Sequence, residues 1–292
     1  MTIMVVGDLV TDVVAVPAGP VDDGTDTDAT ISVTGGGSAA NTAAWLADIG
    51  RSVVLVAAIG EDAAGRQRVA ELEAAGVTCA VARYPTTTGS IVVIATGTER
   101  TMLRDRGASA CLTPENVAEA LGGHPDAVHL HLSGYVLQDR RTAAAGQYAL
   151  AAARRAGLTV SVDAASAAPL RQTPRFLPWV RGVDLLFANR DEATVLVGEG
   201  TPEDQAIALT RHVSAAVVKL GAEGAVWADA DGTVARVPAE PVPVVDSTGA
   251  GDAFAAGVLA SWLSGNPPTD VLAAGAALGA AAVRRVGARP YP

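Results

Sequence analysis

Short apolar runs that read as buried strands alternate, along nearly the whole chain, with longer stretches of helical periodicity. Residues 3–6, 53–57, 127–132, 159–162, 185–188 and 216–219 are such runs, largely apolar and rich in valine. A strand that is apolar at almost every position has no solvent face, so both its faces must be covered. Residues 41–49, 63–75, 142–156 and 202–212 carry the helical patterns that cover them, and two more, 251–263 and 270–286, close the chain. Strands joined through helices imply βαβ units, hence a three-layer α/β/α fold around a central, mainly parallel sheet. Aromatic residues make up only 4% of the sequence, and alanine and valine carry much of its apolar content. Such a core favours close helix-on-sheet packing over aromatic clusters.

Two segments break the rhythm. Residues 10–33 contain Pro17, Gly19, Pro20 and Gly24, with short β-like runs on either side. Residues 90–103 read as a hairpin whose turn is Thr96-Gly-Thr-Glu99. Both make strands without an adjacent helix, and the expectation is a small β lid formed by residues of about 10–33 and 88–106. Decorated surface loops are the alternative. No repeat, low-complexity tract or linker divides the chain, so residues 1–292 are expected to form one domain.

The formal net charge of −10 argues against a general nucleic-acid or anionic-membrane binder, though not against a nucleotide held by a local cluster of N–H groups. Two cysteines, Cys79 and Cys111, make neither a disulfide framework nor a four-thiolate metal site. The first residues lack a basic region followed by a long apolar one, and residues 273–283 are apolar but too short to span a bilayer. The expectation is a reduced, cytoplasmic enzyme.

The most informative stretch is Asp246-Ser-Thr-Gly-Ala-Gly-Asp252, which follows a β-like run at 241–245 and leads into a helix. Gly249, Ala250 and Gly251 therefore fall where a helix begins and its first N–H groups lack intrahelical partners. With the positive end of the helix dipole, those groups make a hole for phosphate oxygens. Asp252 then stands beside a transferring phosphoryl group, placed to accept the proton of an attacking hydroxyl. An ordinary helix cap explains a Gly-x-Gly-Asp sequence equally well, but not the full stretch through Ala253-Phe-Ala-Ala-Gly257.

That stretch resembles the C-terminal motif of the ribokinase-like carbohydrate kinases, also called the phosphofructokinase B (PfkB) family. Gly35-Gly-Gly-Ser-Ala-Ala-Asn41-Thr-Ala-Ala-Trp-Leu-Ala-Asp-Ile-Gly50 resembles the family's N-terminal motif, about 200 residues earlier and in the right order. The resemblance implies a ribokinase-like fold with a β lid over the acceptor. It implies an ATP-dependent kinase using Mg²⁺ that phosphorylates a small-molecule sugar, sugar acid or nucleoside, and a homodimer through the lid strands.

Residue by residue, the resemblance implies more. Asn189-Arg-Asp-Glu192 matches an Asn-x-x-Glu motif that helps hold Mg²⁺ and phosphates through water, while the same spacing also makes a reciprocal helix cap. Lys219-Leu-Gly221-Ala-Glu-Gly224 matches a nucleotide loop, for which a plain β-turn is the alternative. Ala276 matches a position in the adenine pocket where some members carry a polar group. Asp246, the backbone of Thr248 and carbonyls near 283–288 match a site for K⁺ or a similar ion. Asp12 and Asn41 match contacts to acceptor hydroxyls, and Gly36 and Gly37 allow the backbone to approach the acceptor. Arg104 or Arg106, on the segment returning from the lid, is placed to meet a carboxylate or phosphate of the acceptor, or to make a surface ion pair.

Asp8 is read as a turn residue, and His129 and His131 as packing or hydrogen-bonding residues along a strand. Gly35-x-Gly37-x-x-Ala40 also fits a loose dinucleotide fingerprint, but it does not close the first strand and leaves Gly249–Asp252 without a role. No Gly-x-x-x-x-Gly-Lys-[Ser/Thr] stretch occurs. A non-catalytic sugar or nucleoside sensor on the same scaffold is the rival of a different class.

Overall fold

Successive residues of the first strand enter opposite cores. In β1 (Thr2–Val6), Ile3 and Val5 pack on one face of the sheet while Met4 and Val6 pack on the other, all inaccessible to solvent. A computed structural model of the chain describes residues 1–21, 23–96 and 99–290. After β1 come β2 (Val10–Pro17), β3 (Ala29–Gly36), α1 (Ser38–Asp48), β4 (Ser52–Gly60), α2 (Ala63–Ala74), β5 (Thr78–Tyr84), β6 (Ser90–Thr96) and β7 (Glu99–Asp105). The middle of the chain holds α3 (Pro114–Gly123), β8 (Ala127–Ser133), α4 (Tyr135–Gln138), α5 (Ala143–Arg155), β9 (Thr159–Asp163), α6 (Ala167–Arg171) and α7 (Phe176–Val180). The last part holds β10 (Leu185–Asn189), α8 (Arg190–Val197), α9 (Pro202–Leu209), β11 (Ala215–Lys219), β12 (Ala225–Asp229), β13 (Val234–Val237), α10 (Ala250–Trp262) and α11 (Pro268–Val283).

Nine strands form one sheet in the order β13-β12-β11-β10-β9-β8-β1-β4-β5. Every neighbouring pair from β11 to β5 is parallel, and β12 and β13 add antiparallel strands at one edge. Residues of α1, α2, α10 and α11 join the core on one face, and residues of α3, α5, α8 and α9 join the core on the other. This is the α/β fold with a mainly parallel sheet that the alternating pattern implies. Between β1 and β8 the connectivity reverses: the chain steps outward to β4 and β5 on one side, and to β9, β10 and β11 on the other. Open α/β sheets bind ligands at such a point, beyond the carboxyl ends of the strands.

A second sheet, β3-β2-β6-β7, stands on that carboxyl edge. It pairs β2 antiparallel to β3 and parallel to β6, and β6 antiparallel to β7. Two residues of the expected hairpin turn, Gly97 and Thr98, lie outside the described residues. One expected strand is absent: residues 241–245 run without regular pairing, held near α11 where Val245 N–H donates to the Val283 carbonyl at 2.7 Å. Proline at positions 241 and 243 removes two of the donors a ladder needs.

Helices α10 and α11 pack unusually closely. A Cβ on Gly257 would sit 2.4 Å from the Ala274 carbonyl oxygen, and one on Gly275 would sit 2.6 Å from Val258 Cγ2. Glycine and alanine along this seam let the two backbones approach, and that approach sets the cavity at the start of α10. Gly257→Val is therefore expected to lower stability by about 2–4 kcal/mol through overpacking against fixed backbone. A thermal or urea melt checks this, and an unchanged midpoint would mean that the helices separate at no cost.

Candidate active site

Four parallel strands end in polar residues along one edge: Asp163 on β9, Asn189 on β10, Lys219 on β11 and, two residues beyond β1, Asp8. The start of α10 faces them. Its cap, Gly249, has φ of 74°, and a Cβ there would lie 2.5 Å from the Ala288 carbonyl oxygen, so both conformation and space require glycine. Ala250 and Gly251 supply the first helical N–H groups, and Asp252 falls in the same turn.

Asp252 is half-buried, and each of its oxygens is held from α1. Ser38 Oγ donates to Oδ1 at 2.8 Å and Asn41 Nδ2 donates to Oδ2 at 2.9 Å. Burial pushes the carboxyl up to about 7, against the lowering effect of those two hydrogen bonds. Asn41 is itself oriented: Arg289 Nε donates to Asn41 Oδ1 at 3.3 Å, and Arg289 Nη2 donates to the Gly36 carbonyl at 3.0 Å. With its carbonyl oxygen engaged, the Asn41 amide must turn its NH₂ toward Asp252.

Asp12 lies next to this group, 6% exposed, and a Cβ on Gly36 would fall 2.2 Å from its carboxyl carbon. Burial raises the Asp12 carboxyl to about 6, with Arg289 opposing. Gly37, at φ of 101°, caps α1 against the Asp8 backbone. Asp8 accepts a 3.4 Å hydrogen bond from Ala39 N–H, a long-range tie to the first turn of α1. Asp12, Gly36, Gly37, Asn41 and Asp252 thus share one neighbourhood.

On the other side of Asp252, Lys219, the sole lysine of the sequence, donates to Asp163 Oδ2 at 2.6 Å. Its Nζ also lies 3.5 Å from where a Cβ on Gly251 would be, so the ammonium faces the start of α10. Burial pulls its pKa down, but Asp163 and Glu192 more than offset this and the net shift is upward. The ammonium stays charged. Asn189 and Glu192 make the reciprocal cap of α8: Glu192 N–H donates to Asn189 Oδ1 at 2.9 Å, and Asn189 N–H and Nδ2 each donate to the Glu192 carboxylate at 2.8 Å. Burial raises Glu192 to about 7, with Lys219 opposing.

A cavity of about 510 Å³ opens beside Lys219 and is lined by Gly221, Gly224, Phe254, Ala276 and Val283 among others. It brings together the loop after β11, the start of α10 and one face of α11, and its walls are almost wholly apolar. Asp246 sits in the loop before α10. Its Oδ1 accepts from Thr248 N–H (2.9 Å) and Thr248 Oγ1 (2.7 Å), and its Oδ2 accepts from Gly287 N–H (3.0 Å).

Arg106 stands apart, in a second cavity of about 820 Å³ that Arg104, Arg140, Arg141 and Arg175 also line, and its Nε lies 3.3 Å from Asp139. His129 and His131 hydrogen-bond Thr159 and Ser161, and burial lowers their pKa values to about 3 and 4, so both are neutral packing residues. Ser38, Asp163 and Arg289 were not singled out from the sequence. Asp163 had a signal, as the acid closing an apolar strand, and Ser38 lies within the glycine-rich stretch. Arg289 had none, being a tail residue brought to Asn41 by tertiary structure.

A mainly parallel sheet thus reverses its crossovers beside a glycine-capped helix start that carries a fixed acid. The model of the pfkB family carbohydrate kinases matches residues 1–292, and the chain belongs to that family. It is 33% identical over 270 residues to the ATP-dependent ribose-1-phosphate kinase of Halopiger xanaduensis, covering 88% of this chain and 83% of that one. It is 31% identical over 247 residues to the 2-dehydro-3-deoxygluconokinase of Thermoproteus tenax, covering 81% and 75%. Its fold matches the crystal structure of adenosine kinase from Sinorhizobium meliloti with a TM-score of 0.89 at 25% identity, covering 99% and 96%. The chain is a sugar or nucleoside kinase of this family. Among the described residues, no helix is long and apolar enough to cross a membrane.

Asp252 titrates near 7 in the native state but at 3.8 as a free side chain, so the native state binds its proton more tightly than the unfolded state between those values. Its ionisation therefore costs stability as pH rises from about 4 to 7. Asp252→Asn, whose amide still donates to Ser38 and accepts from Asn41, should show a stability gain that grows across this window. Above pH 7 the gain should level at about 4 kcal/mol. Denaturant melts of both proteins at several pH values measure it, and a gain independent of pH would contradict the raised pKa.

Proposed function

We propose that this chain transfers the γ-phosphate of ATP to a hydroxymethyl or other alcohol group of a small sugar or sugar acid, with Asp252 as the base. The observation that carries the proposal is Asp252 itself: an acid of pKa about 7, pinned at both oxygens, in the first turn of the helix that Gly249 caps. A base poised near neutral pH is unprotonated at work yet still accepts a proton readily. The acceptor oxygen attacks the γ-phosphorus, the bond from that phosphorus to the β–γ bridging oxygen breaks, and the hydroxyl proton passes to Asp252. The Gly249–Gly251 turn and Lys219 stabilise the charge on the transferring group.

ATP would occupy the apolar cavity, with Gly221 and Gly224 against the nucleotide, Ala276 in an apolar adenine wall, and Asn189 near the phosphates. Among the described residues, no group of three or more His, Cys, Asp or Glu side chains is arranged to hold a metal. Mg²⁺ would thus rest mainly on phosphate oxygens and water, with Glu192 holding it through water, as suits an ion that keeps its hydration. When bound, it supplies neutralising charge on the phosphates. A K⁺-like ion would be held by Asp246, the backbone of Thr248 and carbonyls near 283–288. Asp12, Asn41 and the backbone of Gly36 and Gly37 would hold the acceptor hydroxyls, with β2, β3, β6 and β7 as a lid. Exposed Ile31, Val33, Met102 and Leu103 on β3 and β7 give that sheet an apolar surface suited to a homodimer.

The likeness to an adenosine kinase favours a nucleoside acceptor as the second reading. ADP release measured over a panel of sugars, sugar acids and nucleosides separates the two, and binding without ADP formation for every acceptor would mean a sensor instead. In the enzyme, kcat/KM for the acceptor should fall below about pH 7 and level above it, because Asp252 must be ionised. Asp252→Asn should lose at least about 1,000-fold in kcat with acceptor affinity largely kept, and near-normal turnover would remove the residue from this role.

Arg289→Met should let the Asn41 amide rotate away from Asp252. The expected result is a kcat reduced about 10-fold and a kinetic pKa displaced upward, because a hydrogen bond that lowers the Asp252 pKa is weakened. A kcat loss with an unmoved pH profile would instead indicate a structural role alone.

A further inference from the structure

One of the largest fully buried side chains of the protein is a charged one, Arg68 on α2. Its Nη2 donates to Glu71 Oε1, one turn further along the helix, at 2.6 Å. Its Nε and Nη1 are buried with no hydrogen-bond partner among the described residues. Gln67 Nε2 donates to the same Glu71 oxygen at 3.1 Å. With Oε1 engaged twice, Oε2 is the oxygen left for Arg289, whose Nη1 stands 3.7 Å away. A buried ion pair of this kind adds little to stability, and apolar residues of similar volume would serve as well or better. What the Arg68–Glu71 pair adds is a negative charge at a fixed place.

Arg289 is the group that uses this charge. Its side chain is 5% exposed, and the hydrogen bonds it makes to Asn41 Oδ1 and the Gly36 carbonyl run to neutral acceptors. A buried guanidinium is stable only beside a counter-charge. Asp12 is a second acid within reach, and Arg289 lowers its pKa. Two carboxylates, Glu71 from α2 and Asp12 from β2, thus compete for one guanidinium. The helix that carries Glu71 is anchored at its start. Its cap, Asp62, accepts from Gly65 N–H at 2.8 Å, from Thr88 Oγ1 at 2.6 Å and from Thr88 N–H at 2.8 Å.

We propose that Glu71 is a positioning residue for Asp252: it holds Arg289 against Asn41, so that the Asn41 amide keeps its NH₂ on the acid. The contacts run from Glu71 to Arg289 (3.7 Å), from Arg289 to Asn41 (3.3 Å) and from Asn41 to Asp252 (2.9 Å). This role rests on the reading of Asp252 as the base and extends the support of that acid from α1 to α2. Neutralising Glu71 has two effects of opposite sign. Through space, loss of a negative charge favours the ionised acid and lowers the Asp252 pKa. Through Arg289 and Asn41, a hydrogen bond that lowers that pKa is weakened, and the pKa rises. The direction of the displacement separates positioning from a field effect, and a purely structural role displaces nothing.

One test needs no acceptor. Denaturant melts of the whole protein over a range of pH compare Asp252→Asn with its parent, once in the wild-type background and once with Glu71→Gln. With Glu71→Gln, the gain from Asp252→Asn should go on growing for about 0.5 to 1 pH unit beyond the point where it levels in the wild-type background. A gain that levels at the same or a lower pH would overturn the proposal. The second test is ADP release with ATP, Mg²⁺ and whichever sugar, sugar acid or nucleoside of the panel above is used best. Glu71→Gln should lower kcat about 3- to 10-fold and displace the acid limb of kcat/KM upward, with the KM for ATP unmoved. Glu71→Gln/Arg289→Met should lose no more than Arg289→Met alone, and additive losses would overturn the route through Arg289. Arg68→Met guards against a Glu71→Gln protein that does not fold: it should melt no lower than the wild type yet displace the acid limb the same way, and an unmoved limb would count against the proposal. An active wild type with an unmoved pH profile in Glu71→Gln overturns the positioning role alone. A wild type that releases no ADP with any acceptor removes the base reading, and the positioning role with it.

Discussion

Asp252 accepts a hydrogen bond at each carboxylate oxygen from α1, from Ser38 and Asn41, which precede it by 214 and 211 residues. That bridge joins the first covering helix to the penultimate one across the reversal point of the sheet. It forms because α1 and α10 pack side by side in one core with their starts at the same sheet edge, through Ala39, Ala40, Ala43 and Ala44 on one and Ala253, Ala255 and Ala256 on the other. A carboxylate between two helix starts, with two donors, would ordinarily be stabilised in its charged form. Burial outweighs both effects and leaves the pKa near 7. The fold thus fixes the geometry of the acid and its burial fixes its titration.

The charges around this bridge fall into two groups. On one side, Lys219 is balanced by Asp163 and Glu192, so a buried ammonium at the start of α10 stays protonated. On the other, Arg289 sits between Asp12, Asn41 and Glu71, with Glu71 Oε2 at 3.7 Å. The residues bringing Arg289 there are themselves tied down: Gly287 N–H to Asp246, and the Ala288 carbonyl to Trp45 Nε1 at 3.0 Å. The tail therefore links the loop before α10 to the glycine-rich start of α1. Breaking one member of such a buried network leaves its partners unpaired, which costs more than the contact itself is worth.

The parts of this structure legible in the sequence are those set by local pattern. Strands buried on both faces are apolar nearly throughout, and residues 53–57 and 185–188 announced themselves for that reason. Thr78–Tyr84 and Val234–Val237 did not, because strands at the two sheet edges are only partly buried and carry mixed residues. The run at 241–245 looked like a strand, but its prolines leave too few donors to join a ladder. At the site, the glycine stretches and Asp252 were visible because helix starts leave a compositional trace. Asp163, Arg289 and the clustering of arginines were not, since each owes its place to segments far apart in the chain. Arg140 and Arg175 read singly as ordinary surface residues, and only the fold puts them around one space with Arg104 and Arg106.

The strand order explains why two cavities of opposite character lie along one edge. Along the carboxyl edge the sequence of strands is β11, β10, β9, β8, β1. At a spacing of about 4.8 Å, the four steps from Lys219 to the end of β1 span roughly 19 Å, enough for a nucleotide and a small acceptor end to end. The apolar cavity lies at the β11 end and the arginine cavity at the β8–β9 end, with the start of α10 over the strands between them. Lys219 places positive charge at the start of α10, and five arginines line the second concavity. In the proposed reaction, ATP enters by its phosphates at the β11 end of the edge, beside Lys219. The reacting atoms are then left to meet at Asp252, the one carboxylate there whose protonation changes near neutral pH while it is fixed from α1.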